Sequence, residues 1–106
     1  MNGGDLVSNI YEVCLTATLE GSSTREFRKF RDRFSAIVRN FDDTSDAITL
    51  GSERDRQLRI LFVVNAGSSS TAESKVDRLV RMFLNRWETS EHSSRQPELQ
   101  RQLVLP

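Results

Sequence analysis

The chain has little of what builds a metal centre or a disulfide framework: one cysteine, Cys14, and one histidine, His92, in 106 residues. A lone thiol excludes a disulfide scaffold, and one histidine with one cysteine makes no Cys/His cluster, so no metal and no cofactor are expected. The longest apolar run, Ile60 to Val64, is far too short to cross a bilayer. The start, Met1-Asn2-Gly3-Gly4-Asp5, lacks the basic and apolar stretches of a signal peptide, so a cytoplasmic setting is the expectation, without membrane association. Charge of one sign is also missing. Fifteen Lys plus Arg meet fifteen Asp plus Glu, which excludes a protein that is basic all over.

What is present suits a single globular domain. With 37% hydrophobic and 28% charged residues, and only five glycines and two prolines, the composition is neither disordered nor fibrous. A chain of this length buries enough surface to fold without a staple. Residues 1–9 read as a flexible lead, 10–88 as one α+β domain, and 89–106 as a polar tail containing a possible closing strand from Leu99 to Leu105.

Within the domain, Tyr11, Val13, Leu15, Ala17 and Leu19 alternate with polar or small residues, the period of a half-buried strand. Ser23 and Glu26 form a capping box, and Phe27, Phe30, Phe34, Ile37, Val38 and Phe41 lie on one stripe of the helix that follows. Ala47 to Leu50 predicts a short strand, Gly51 to Arg56 a hairpin connection, and Leu58 to Val64 a strand apolar on both faces. A Gly-Ser-rich turn, Gly67 to Thr71, leads into a second helix with Val76, Leu79, Val80, Phe83, Leu84 and Trp87 at helical spacing, for which Ser70 and Glu73 offer a cap.

The order is β-α-β-β-α, with a possible final β. It predicts a two-layer α+β sandwich, ferredoxin-like, with an antiparallel sheet and both helices on one face. A shift of 46 residues lays the second half on the first, pairing Gly21 with Gly67, Phe30 with Val76 and Phe34 with Val80, while the caps pair at 47. At a shift of 46 Leu15 matches Leu61, so both face the helices and Ile60, Phe62 and Val64 face outward. An open apolar face of that kind marks an interface, which makes these three residues the candidate contacts for a second copy or a protein partner.

Three other constellations carry weaker chemistry. The first helix is basic on its polar side, so Arg25, Arg28, Lys29 and Arg31 are an alternative set for binding nucleic acid. The turn residues Ser68, Ser69, Ser70 and Thr71 sit where a helix N-terminus favours an anion, yet the turn lacks the lysine and spaced glycines of a nucleotide loop. Asp42, Asp43 and Asp46 do not have calcium-loop spacing and read as a turn that ends the helix. No nucleophile is placed to use His92, and no catalytic set can be assembled. The expectation is a non-catalytic interaction or regulatory module, most simply a homodimer.

Overall fold

The structure, a computed structural model, describes residues 9–90 and 95–104. Alternating side chains from Asn9 to Thr18 form strand β1. Helix α1, Thr24–Arg39, follows a turn in which Gly21 takes a positive φ of 73°. After a 3₁₀ turn at Asp42–Thr44 come β2, Ile48–Ser52, and β3, Gln57–Ala66; then helix α2, Ser69–Ser90, and strand β4, Glu98–Val104. The result is a small α+β domain with two helices and a four-stranded antiparallel sheet in the order β2-β3-β1-β4. Residues 1–8 of the expected lead lie outside the described residues, whereas Asn9 is already paired in β1 opposite Ala66. Leu105 is also outside, but the rest of the closing strand is present, paired along the free edge of β1.

Aromatic packing joins the two helices. Phe27, Phe30 and Phe34 recur at helical spacing on α1 and are fully buried, as is Phe83 of α2. The Phe30 ring meets Trp87 edge-on at 5.3 Å, and Phe34 meets Phe83 at 6.3 Å, so the helices interlock through offset and edge-to-face contacts. The Trp87 indole N–H donates to the Arg95 carbonyl at 3.3 Å, which gives its polar end a partner at the entry to β4. Below this layer the sheet contributes Val13, Leu15 and Ala17 from β1 with Leu58, Ile60 and Phe62 from β3, all buried.

Helix ends and turns are satisfied locally. The capping box of α1 forms as its sequence predicts: Ser23 Oγ accepts from the Glu26 N–H and Glu26 Oε1 from the Ser23 N–H, each at 3.1 Å. Buried Thr44 donates its hydroxyl to the Val38 carbonyl at 2.5 Å, a second donor beside the Phe41 N–H at 3.4 Å for a carbonyl in the last turn of α1. The cap of α2 differs from expectation. Ser68, two residues before Ser70, accepts from the Thr71 N–H at 3.2 Å, and the helix already includes Ser69 and Ser70.

One expectation is reversed. Val13 pairs with Phe62 and Leu15 with Ile60, and directly paired residues point to the same side of a sheet. Ile60, Phe62 and Val64 therefore face the helices and are buried, while Leu61 shares the other side with Cys14. The error lies in the repeat register. The strands match at a shift of 47, which sets Val13, Leu15 and Ala17 on Ile60, Phe62 and Val64; the buried stripe Phe27, Phe30, Phe34, Val38 recurs as Val76, Leu79, Phe83, Trp87 at 49. A shift of 46 is one residue off in the strand, and a slip of one residue moves every side chain to the opposite face.

If this layer holds the domain, Phe34→Ala should lower unfolding stability by about 3–5 kcal/mol, the usual cost of truncating a buried aromatic. Chemical denaturation with an unchanged m-value checks it; a loss under about 1 kcal/mol would contradict the packing.

Candidate functional site

The side of the sheet away from the helices is the candidate site. Because β1 and β3 pair antiparallel with Cys14 opposite Leu61, the outward side chains are the even residues of β1 and the odd residues of β3, joined by Ile48 and Leu50 of β2. Ile10, Ile48, Leu50 and Val63 are each more than half exposed, and Cys14 and Leu61 are half-buried among them. No described residue forms a layer over this face. Arg59 stands at one end of it, opposite Thr16 and Leu50; Glu12 stands at the other, opposite Val63.

A concavity of about 460 Å³ opens at the Glu12 end. Its apolar lining comes from Cys14, Ile48, Leu61 and Val63, and its carboxylates are Glu12, Asp43 and Asp46. The two aspartates arrive from the 3₁₀ turn and the residues after it, which lie against β3 and lead into β2. The Asp42, Asp43 and Asp46 turn thus does more than end a helix: it gives one end of an apolar face a negative border. All three lining carboxylates are exposed.

The four basic residues of α1 named as the alternative binding set divide into two pairs. Arg28 grips Glu53 of the β2–β3 turn with two bonds, Nε at 2.7 Å and Nη2 at 3.2 Å, and Arg31 lies 3.5 Å from the same carboxylate and 2.9 Å from Asp32. The hydrogen bonds from Arg28 hold the Glu53 carboxyl below its ordinary range. Arg25 and Lys29 are exposed and make no ion pair among the described residues. The four side chains expected to act together are therefore split, with Arg28 and Arg31 bracing the hairpin against α1.

At the other sequence-predicted positions, the turn before α2 uses its polar groups on itself. Ser68 Oγ donates to Thr71 Oγ1 at 3.0 Å besides accepting from the Thr71 N–H, while Ser69 and Ser70 are exposed. His92 lies outside the described residues. Cys14 occupies the outward side of β1, as alternation predicts, and no group of three potential metal ligands occurs among the described residues. No described helix is long and apolar enough to cross a membrane.

No family model, curated protein or solved structure matches this chain. The site therefore rests on its own geometry.

Reasoning from the sequence missed Leu61, Val63 and the acidic concavity, and also Glu53. A signal for the first was present: Arg59 and Asn65 bracket Leu61 and Val63 at the same parity, and polar ends mark that face as the outward one. For Glu53 no local signal exists, since its partner is 25 residues away.

Because the Glu53 carboxyl titrates below its unfolded value, the pair stabilises the fold above the ordinary carboxylate range, and that contribution fades as pH falls through the lowered value. Melting temperatures of wild type and Glu53→Gln should differ at pH 7 and converge on acidification. A gap that widens toward low pH would contradict the assignment.

Proposed function

We propose that this chain is a non-catalytic protein-interaction domain of the ferredoxin-like type that self-associates through the outward face of its sheet. The element order, with β1 and β3 paired at the centre and β2 and β4 at the edges, supports the fold assignment. The observation that carries the function is the cluster of Ile10, Ile48, Leu50 and Val63, four branched aliphatic side chains held in water on one side of a sheet whose other side is buried. Strands with one wet face normally alternate apolar with polar residues, so a concentration of aliphatic surface on the wet face is what an interface requires.

Covering this face removes water from apolar surface at about 25 cal/mol per Å², and two sheets can close on one another at the usual spacing of about 10 Å. A second copy is the occupant that needs no further component, since an isologous contact uses the same patch twice. A reducing, cytoplasmic setting belongs to the same reading, supported by the single cysteine.

Two substitutions one residue apart test this. Val63→Lys should turn a dimer into a monomer in sedimentation equilibrium without changing the circular dichroism, whereas Phe62→Lys should unfold the domain. A wild-type chain that stays monomeric at millimolar concentration would end the proposal.

A further inference from the structure

Resting on self-association through this face, we infer that Arg59 of each protomer seats in the acidic concavity of the other, and that this reciprocal contact sets the register of the dimer. The strands place three charged side chains on the outward face among the described residues: Glu12, Arg59 and Glu98. Arg59 is the cation of the three. It is exposed and has no ion-pair partner among the described residues.

Arg59 also stands away from the carboxylate end of its own concavity, where Glu12 lies opposite Val63; Leu61, two residues along from Arg59, forms only the near edge. Val63, in the lining, lies four residues further along β3, roughly 14 Å away at the rise of an antiparallel strand. Leu61, midway between them, is in the same row as Cys14 and Ile48. Consider a twofold axis between two facing sheets that runs across the strands at the level of Leu61. It exchanges the two ends of the face and brings Arg59 of each protomer over Val63 of the partner subunit. The rotation of about 30° usual for aligned sheets displaces that contact by only a few Å, which is within the reach of an arginine side chain and the breadth of the concavity.

The chemistry of the concavity fits that occupant. An arginine carries an apolar stem and a planar cationic head: the stem covers Leu61, Val63 and Ile48, while the head reaches the carboxylates of Glu12, Asp43 and Asp46. Symmetry forms the contact twice. Among the described residues of an isolated protomer, the cation at one end of the face and the carboxylates at the other have no ion-pair partners; the dimer matches both.

Charge reversal with mixing tests the assignment on the full chain. Arg59→Glu sets an anion against an acidic concavity at both contacts, and Asp43→Lys with Asp46→Lys sets a cation against a basic one. Each variant alone should sediment at the mass of one chain at concentrations where wild type has the mass of two, with unchanged circular dichroism. An equimolar mixture should recover the two-chain mass, because both contacts then join opposite charges. Folded variants that remain dimeric alone, or that stay monomeric when mixed, would overturn the Arg59 contact, while dissociation by Val63→Lys would leave self-association through the face standing. A monomeric wild type would remove both.

Discussion

The interlock of Phe30 and Phe34 with Phe83 and Trp87 is the contact on which the rest of the molecule depends. It fixes two helices side by side over one surface of a four-stranded sheet, and that surface is consumed in the process. Every strand residue on the inner side becomes core. Every residue of opposite parity is left outward, including aliphatic side chains that a solvated surface does not require. The candidate interface is thus a consequence of how the core is made, since a two-layer domain has no third layer with which to cover its sheet.

Charge is arranged around this division. The net charge of zero conceals a segregation: basic residues concentrate on α1, and Asp42, Asp43 and Asp46 make the turn that follows it acidic. Some of the opposition is spent inside the chain, where Glu53 ties Arg28 and Arg31 to the hairpin. Other charges on the outward face, Glu12 and Arg59, have no ion-pair partner among the described residues. Arg56, although non-glycine, adopts a positive φ of 53° and turns its guanidinium onto the Ser22 carbonyl at 2.8 Å, binding the same hairpin to the start of α1. The basic helix is thus partly structural, since Arg28 and Arg31 are engaged with Glu53.

Much of the fold was legible in the sequence because its signals are local. The alternation of β1, the Ser23 and Glu26 cap, the phenylalanine stripe of α1 and the helical spacing of α2 each follow from a short window of residues. The parity of β3 was not legible from hydrophobicity, because Leu58 to Val64 is apolar at six of its seven positions and only Arg59 breaks the run. A repeat register judged on the helices then carried a one-residue error into the strand. Within the candidate site, Cys14 was placed correctly by alternation; Leu61 and Val63 were assigned the wrong side. The acidic concavity was hidden because it joins Asp43 and Asp46 to Glu12 across more than thirty residues of chain.

Thiol labelling gives the most direct test, because it reads side-chain exposure and association together. In a Cys14→Ser background, a cysteine is introduced by Val63→Cys or by Phe62→Cys, and the labelling rate is followed from dilute to concentrated protein. Labelling at position 63 should be rapid in dilute solution and fall severalfold as concentration rises, while labelling at position 62 stays slow throughout. Labelling faster at 62 than at 63, or a rate at 63 that does not change with concentration, would contradict this expectation.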